Sequence, residues 1–399
     1  MIINNMEKQN IDTKQGEIYQ VCDDSERLEA YLPSFSPQNH ASNIMPLDNG
    51  DLLCTWFSGT QEGMSDISIY MSRLKKGENK WSSPVKLSDD PTKSEQNPIL
   101  FPAPNRQLWL LYTSQNSGNQ DTAEVKYRVS LDNGVTWGLI KTLFDTPGTF
   151  IRQPIVVLDN SDWLVPVFHC NTPKGKKWTG DYDYSAVKIS SDEGKTWKEY
   201  EVPNSLGCVH MNVEKLSDGT LVALYRSRWA DNIYISHSKD NGVTWESPVP
   251  TKLPNNNSSI QFTKLNNGHL ALVFNNMNAD KCTQRRASLY DEIEKDVQND
   301  VQEKVQDGRK TAFWGAPRAP LTIAISEDEG KTWPYMRNIE VGDGFCMTNN
   351  SKEKLNREYS YPSIKQTPDD RIHVTFTYFR QNIKYVCISE GWIKRGDDK

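Results

Sequence analysis

Four copies of one eight-residue pattern, Ser-x-Asp-x-Gly-x-Thr-Trp, constrain the fold of this chain more than any other feature. They occupy residues 130–137, 190–197, 238–245 and 326–333, and a weaker fifth copy ends at Trp81. In such a pattern the Asp side chain accepts backbone N–H bonds of a turn, and the Gly supplies a positive φ. The Trp packs back against the sheet. We interpret these segments, called Asp boxes below, as structural turns without a catalytic role.

The spacing of the boxes predicts the architecture. Successive box tryptophans lie about 50 to 60 residues apart, with a last interval of about 90, and such periods in a strand-rich chain indicate propeller blades. A short alternating strand precedes each box, and a hairpin with an Asp- or Asn-rich turn precedes that strand. The sequence therefore predicts an all-β, six-bladed β-propeller with four-stranded antiparallel blades, which begin near residues 38, 96, 150, 208, 258 and 358. Seven blades are the alternative.

Two segments fall outside this repeat. Residues 1–34 form an N-terminal segment, and its part near 17–21 is expected to supply the outer strand of the last blade. The propeller itself is expected over 35–398. The long last interval contains an insertion at 283–310, in which apolar residues recur every fourth position and predict an amphipathic helix: Leu289, Ile293, Val297, Val301 and Val305. This helix lies on blade five or serves as a lid or dimer contact.

Composition excludes several classes of partner. A net charge of -6 argues against nucleic acid or an anionic membrane surface. The seven cysteines lack CxxC spacing, which favours reduced thiols. The N-terminus is polar, and no apolar stretch is long enough to span a membrane, so a cytoplasmic protein is expected. Neither metal-ligand spacing nor a phosphate-binding loop is present, so no cofactor is expected. A monomer and a homo-oligomer both remain open.

The boxes, their spacing and the strand pattern resemble the sialidase superfamily, particularly its BNR-repeat members, over roughly residues 35–395. This resemblance implies a site where the first strands of the blades converge. It also implies three arginines that hold a substrate carboxylate, a tyrosine nucleophile, a glutamate that activates it and an aspartate acid/base. A carboxylate-bearing oligosaccharide is therefore the expected substrate.

Several residues match the pattern that the resemblance implies. Tyr361, at the start of the last blade, matches the nucleophile. Arg226 ends the second strand of blade four, Arg318 precedes the third strand of blade five, and both match carboxylate-binding arginines. Asp66, in the loop after the second strand of blade one, matches the acid/base, and Glu62 in the same loop is its alternative.

Two positions depart from that pattern. His40 stands ten residues before Gly50, where the resemblance implies the first arginine. His210 stands sixteen residues before Arg226, where it implies the activating glutamate. Both departures bring an imidazole, a group that handles protons near neutral pH, to a position beside the expected nucleophile.

Five further residues need separate interpretation. Arg152 begins blade three and either reaches the substrate or forms a structural ion pair. His169 ends a second strand and lies either in the cleft or in a structural role. Tyr359 is a reserve candidate for the role of Tyr361, since residues two apart on a strand point the same way. Arg228 and Arg380 are expected at the surface or rim.

Three functions fit these residues. The first is a sialidase-like exo-glycosidase with Tyr361 as its nucleophile. The second is a uronate-directed lyase of the rhamnose–glucuronate type. In that lyase Arg226 and Arg318 would neutralise the carboxylate, His40 or His210 would remove a proton, and Tyr361 would protonate the leaving oxygen. The third is a glycan-binding propeller without catalysis, which has less need of Tyr, His and Arg together.

Overall fold

The computed structural model describes residues 15–290, 292–293, 310–350 and 352–397. Within these ranges the strands form six antiparallel sheets arranged in a ring, which confirms the prediction of a six-bladed β-propeller. The first strand of each sheet lies toward the centre, and the fourth lies at the rim. The described residues contain one short helix, α1 (Glu390–Lys394).

The strands of the first three blades follow one another along the chain after two strands that belong to the last blade. These two are β1 (Tyr19–Val21) and β2 (Asp24–Tyr31). Blade one consists of β3 (Gln38–Pro46), β4 (Leu52–Gly59), β5 (Ser68–Leu74) and β6 (Val85–Lys86). Blade two consists of β7 (Ser94–Pro102), β8 (Leu108–Asn116), β9 (Asn119–Ser130) and β10 (Lys141–Phe144). Blade three has a first strand split into two parts, and it consists of β11 (Thr149–Phe150), β12 (Val156–Val157), β13 (Trp163–His169), β14 (Tyr184–Ser190) and β15 (Lys198–Glu201).

The other three blades complete the ring. Blade four consists of β16 (Cys208–Lys215), β17 (Leu221–Ser227), β18 (Asn232–Ser238) and β19 (Val249–Pro254). Blade five consists of β20 (Gln261–Lys264), β21 (Leu270–Asn275), β22 (Leu321–Ser326) and β23 (Tyr335–Glu340). Blade six begins with β24 (Tyr359–Gln366), β25 (Ile372–Tyr378) and β26 (Asn382–Ile388).

The fourth strand of blade six comes from the N-terminal segment. It is β2, which pairs with β26, while β1 pairs with the outer side of β2 as a fifth strand. Residues 19–21 thus form the outermost strand of the blade-six sheet, and β2 lies between them and β26 as an additional strand. An ion pair joins β2 to β26, since Glu29 lies 2.9 Å from the buried ammonium of Lys384.

The Asp boxes have the predicted turn chemistry. In the box of blade two the Asp132 carboxylate accepts bonds from the Thr136 backbone and hydroxyl, at 2.8 and 2.6 Å. The Gly134 N–H donates to the Ser130 hydroxyl at 2.8 Å. The same three bonds recur in the boxes at 190–197, 238–245 and 326–333. Each box therefore fixes the turn between the third and fourth strands of its blade.

A β-bulge interrupts the first strand of four blades at the same place. The register shifts after His40, Gln96, Val209 and Ser360. One residue of each bulge has a positive φ near 50 to 60°: Ala41, Asn97, His210 and Tyr361. A bulge turns the strand and changes the direction of its side chains, so it directs selected residues into the centre of the ring.

Polar side chains on the first strands link neighbouring blades. Each accepts a backbone N–H from the first strand of the next blade, at 2.7 to 3.0 Å, in four pairs: Asn43 with Leu100, Asn212 with Phe262, Gln261 with Ile364, and Ser363 with Ile44. The Ser363 bond joins blade six to blade one. Apolar residues fill the space between sheets, as in the edge-to-face pair Trp109 and Trp163 at 5.6 Å.

The insertion in blade five connects β21 to β22. Residues 283–290 of the predicted helix are not helical, and they bury Leu289 and Tyr290 instead. The rest of that prediction falls mainly on residues 294–309, which lie outside the described residues. Among the helices that the structure describes, none is long and apolar enough to cross a membrane.

Candidate active site

Tyr361 lies at the centre of the ring, on the bulge of β24. Its φ is +51°, a conformation that costs a non-glycine residue about 1 to 3 kcal/mol, and buried residues with such strain cluster at functional sites. The phenol is 7% exposed. The Arg226 guanidinium donates a 2.6 Å hydrogen bond from Nη1 to its oxygen. The bulge thus holds the tyrosine hydroxyl against a cation in a largely dry environment.

Arg226 has no carboxylate partner among the described residues. Its Nε donates to the Asn257 side chain at 2.8 Å, while its Nη2 atom is buried without a hydrogen-bond acceptor. Burial lowers the pKa of Arg226 to about 9, and the neighbouring Tyr361 opposes that shift. A buried guanidinium with a spare donor is suited to an anionic ligand, because guanidinium and carboxylate form strong charge-assisted bonds.

Two imidazoles flank the Tyr361 ring. The His40 ring centroid lies 4.2 Å from that of Tyr361, and the His210 ring lies edge-on at 5.7 Å. Burial holds the pKa of both histidines well below the usual value, and neighbouring guanidinium groups lower it further, Arg380 most for His40 and Arg226 most for His210. Both imidazoles are therefore neutral at neutral pH.

The hydrogen bonds of His210 define its tautomer. Its Nε2 lies 3.3 Å from Arg226 Nη1, and a guanidinium N–H can only donate, so Nε2 is the acceptor. The proton is then on Nδ1, which lies 3.0 Å from the Ser259 hydroxyl. The Nδ1 atom of His40 lies 2.8 Å from the Thr377 hydroxyl, and its Nε2 is buried without a partner. His210 therefore presents an unprotonated nitrogen beside Tyr361.

Arg152 spans the central channel. It leaves blade three and donates from Nη2 to the carbonyl oxygens of Ser42, Tyr361 and Pro362, at 3.1 to 3.2 Å. Arg152 has no carboxylate partner in the described ranges. The interpretation of Arg152 as part of a structural ion pair therefore does not hold for these residues. Burial lowers its pKa to about 10. Its guanidinium carbon lies 5.6 Å from the Tyr361 ring centroid, which puts the side chain in the same cluster.

The third arginine, Arg318, belongs to a buried charge network. Its Nη1 donates to Glu358 at 2.6 Å, and its guanidinium carbon lies 5.5 Å from the Tyr361 ring centroid. Glu358 also binds Arg380, which in turn binds Glu62. Burial alone would raise the pKa of Glu358, but Arg380 and Arg318 outweigh that effect and lower it to about 2. Both carboxylates of the network are therefore engaged by arginines.

Two arginines expected at the surface or rim are buried, so those expectations were wrong. Arg380 joins the network just described. Arg228 makes two bonds to the fully buried Asp183, at 2.9 and 2.7 Å. Each is stabilised inside the protein because a carboxylate from a distant part of the chain compensates its charge.

The side chains of Asp66 and His169 make their hydrogen bonds outside this cluster. Asp66 is exposed, and its carboxylate accepts the Thr60 backbone and hydroxyl at 2.9 Å each, which is the bonding of a loop cap. His169 Nε2 lies 3.0 Å from Glu199 on the outer strand β15. No hydrogen bond of the described residues joins either side chain to Tyr361, and the assignments of Asp66 as acid/base and of His169 as a substrate ligand stay predictions. Glu62 is buried but ion-paired, so it is not free to replace Asp66.

Glu358 is a site residue that the sequence pattern did not indicate. The register of blade six would have revealed it, since Tyr359 pairs with Tyr378 and the Phe379 N–H donates to the Glu358 carbonyl at 2.8 Å. Glu358 and Arg380 therefore lie opposite each other at the ends of neighbouring strands. Strand register could not have indicated Asp183, because this residue lies in a long loop of blade three.

One group in the described residues has the composition of a metal site, and it lies outside this cluster. His269, Glu327 and Glu390 bring their ligand atoms within 4.8 Å of one another. The Lys394 ammonium binds both carboxylates, at 2.6 and 2.7 Å. Because a cation from the chain already neutralises these carboxylates, the residues do not fit a metal ion.

A six-bladed propeller with Asp boxes and a central tyrosine between arginines defines a protein of the sialidase-like class. A family model described as a BNR repeat-like domain matches residues 50–374, and the chain belongs to this family within the sialidase-like BNR superfamily. No curated protein sequence matches it.

Solved structures share the fold at low sequence identity. A Hadza microbial sialidase is 15% identical with a TM-score of 0.65, over 90% of this chain and 67% of that one. A protein of unknown function from Dyadobacter fermentans is 14% identical with a TM-score of 0.65, over 94% and 99%. The intramolecular trans-sialidase from Ruminococcus gnavus is 12% identical with a TM-score of 0.61, over 90% and 96%. These likenesses establish the shared fold.

Proposed function

We propose that this chain cleaves a glycosidic bond next to a carboxylate-bearing sugar, and that it does so by β-elimination. The observation that carries the proposal is the set of groups around Tyr361. Two neutral imidazoles and the Arg226 guanidinium surround the phenol, whereas Glu62 and Glu358 are both held by Arg380. Hydrolysis by the usual glycosidase routes needs a free carboxyl group as acid, and elimination does not.

The arginines would hold the substrate carboxylate. The guanidinium carbons of Arg152, Arg226 and Arg318 lie 5.5 to 5.6 Å from the Tyr361 ring centroid. Arg226 offers an unused Nη2 donor and Arg152 offers unused Nε and Nη1 donors. Neutralising the carboxylate makes the proton on the adjacent carbon more acidic, because the charge that develops on removing it is stabilised in a dry site.

Two residues of this chain supply the base and the acid that the elimination needs. Arg226 Nη1 first turns from His210 Nε2 to the substrate carboxylate, which frees the imidazole lone pair. His210 Nε2 then takes the proton from the carbon that bears the carboxylate, and the electron pair of that bond forms a double bond to the next carbon. The bond from that carbon to the glycosidic oxygen breaks, and Tyr361 gives its proton to the departing oxygen. The proton on His210 then returns to the Tyr361 oxygen or to solvent. The products are an unsaturated uronate and a free hydroxyl group.

Hydrolysis with Tyr361 as the nucleophile is the second candidate, and one observation favours it. The 2.6 Å bond from Arg226 stabilises negative charge on the Tyr361 oxygen, as a tyrosine nucleophile requires. The weakness of this route is the protonation of the leaving group, since the carboxylate of Asp66, the expected acid, is engaged by Thr60.

Parallel incubations with a fluorogenic sialoside and a rhamnosyl-glucuronate oligosaccharide distinguish the two routes. Elimination produces ultraviolet absorbance from the unsaturated uronate, and this signal should disappear in Tyr361→Phe and His210→Ala. Fluorophore release without absorbance, lost in Tyr361→Phe, would instead establish hydrolysis. If neither substrate is cleaved but acidic oligosaccharides bind, the chain is a binding propeller and the proposal is rejected.

A further inference from the structure

The connection between β21 and β22 of blade five contacts loops of several other blades. The Tyr290 hydroxyl accepts bonds from the Gln115 and Gln120 side chains of blade two, at 3.1 and 3.0 Å. Trp314 donates from Nε1 to the Thr179 carbonyl in the loop of blade three, at 3.1 Å. Blade two is opposite blade five in a ring of six, so a segment that joins them has to cross the central axis.

This segment lies over the candidate active site. The Trp314 ring centroid is 5.9 Å from the guanidinium carbon of Arg226, the residue that binds Tyr361. The Tyr290 ring is so close to Gly63 in the blade-one loop that a Cβ there would come within 2.7 Å of it. Buried apolar side chains fill the space between the two contacts: Leu289, Tyr290, Ala312 and Trp314, with Trp178 packed against them.

The groups beneath the segment are almost inaccessible. The exposed fraction is 0% for His40, 1% for Arg226 and 3% for His210. As formed by the described residues, the site has no open groove through which a long glycan could pass on both sides of the reacting sugar. It can receive only the end of a glycan, and only after the overlying segment has moved.

We propose that residues 285–290 and 310–316, called the roof, restrict the site to the ends of short acidic glycans, and that Tyr290 is the specificity-determining residue. This inference rests on the proposed function. Tyr290 is suited to the role because one hydroxyl joins two amide side chains of the opposite blade, while its ring closes the gap above Gly63. The two bonds hold the closed arrangement, and their release opens it.

The test uses Tyr290→Ala, which removes the closure, and Tyr290→Phe, which removes only the two hydrogen bonds. Tyr200→Phe on the outer strand β15 is the matched control. The first readout needs no substrate: diethyl pyrocarbonate modification of His40 and His210, followed by mass spectrometry. We expect modification to be on the order of tenfold faster in Tyr290→Ala, to rise less in Tyr290→Phe and to be unchanged in Tyr200→Phe.

The second readout is the ratio of kcat/KM for a long acidic glycan to that for a short one. Tyr290→Ala should raise this ratio several-fold. Unchanged labelling in a Tyr290→Ala protein that melts cooperatively would overturn the roof, and faster labelling with an unchanged ratio would overturn the specificity role. If the wild-type protein turns over no acidic glycan, the proposed function fails and the specificity role fails with it, whereas the labelling still decides whether the roof covers the site.

Discussion

The Arg226 guanidinium and the Tyr361 phenol meet at 2.6 Å although 135 positions separate them in the chain. Arg226 ends the second strand of blade four, and Tyr361 lies on the first-strand bulge of blade six. These blades are not neighbours, and both pack on blade five, so the bond depends on the packing of three successive blades. The chemistry proposed for this protein therefore depends on its tertiary structure as well as on the identity of the site residues.

Tyr361→Phe should reduce turnover of a cleaved acidic glycan by roughly a hundredfold or more, because it removes the proton donor or nucleophile. Binding of the corresponding acidic monosaccharide, measured by calorimetry, should persist because the arginines remain. Tyr359→Phe is the matched control, since the Tyr359 hydroxyl donates to the Val341 carbonyl at 3.2 Å. Equal losses in the two variants would show that Tyr361 has no special role.

Glu358→Gln should destabilise the protein by about 3 to 5 kcal/mol, because it leaves Arg318 and Arg380 buried with less compensating charge. Asp343→Asn is the comparison, since Asp343 pairs with Arg357 at the surface at 2.6 Å and should contribute no more than about 1 kcal/mol. Urea denaturation measures both losses in the free energy of unfolding. A Glu358 loss as small as that of Asp343 would contradict the importance of the buried network.

The protein should become less stable as the pH is lowered below about 6.5, the ordinary pKa of histidine. The pKa of folded His40 and His210 is well below that value, so between the two pKa values only the unfolded chain takes up protons at these positions. Each histidine then removes about 1.4 kcal/mol of unfolding free energy per pH unit. His210→Gln should reduce this slope between about pH 6 and pH 5 in a series of urea melts. An unaltered slope would mean that His210 is protonated in the folded protein.

Gly194→Ala should destabilise the protein more than Gly268→Ala. Both glycines have a positive φ, +84° and +90°, so both substitutions strain the backbone by about 1 to 2 kcal/mol. A Cβ at Gly194 would also come within 3.0 Å of the Trp109 ring and 3.1 Å of the Trp163 ring, whereas nothing lies within 4 Å of a Cβ at Gly268. The difference in melting temperature between the two variants measures how much the packing of an Asp box on the preceding blade stabilises the protein. Similar melting temperatures would show that this packing contributes little to stability.

Much of the fold could be predicted from the sequence because its determinants are local. An Asp box is a turn whose bonds join residues at most four positions apart, such as Asp132 and Thr136. The alternation of apolar residues in each hairpin likewise depends on its own strands. The box count, the strand order and the six blades therefore followed from the chain itself. So did the candidates Tyr361, Arg226 and Arg318, which the resemblance indicated.

Other features depended on which side chains meet across neighbouring strands and loops, and the repeat pattern did not indicate these contacts. The site carboxylate Glu358 and the buried arginine Arg380 appeared only when the strands of blade six were in register. Asp66 and His169 were assigned to the site by their positions along the chain, but side-chain bonds direct one to its own loop and the other to an outer strand.

The sequence by itself determined the repeating unit, the number of blades and the tyrosine at the centre. The tertiary structure alone decided which charges compensate one another, and that the blade-five segment carrying Tyr290 and Trp314 crosses the axis. The physical reason is distance along the chain. Turns and strands are stabilised by near neighbours in sequence, whereas buried ion pairs and the covering of a central site join residues that only the packing of strands and blades brings together.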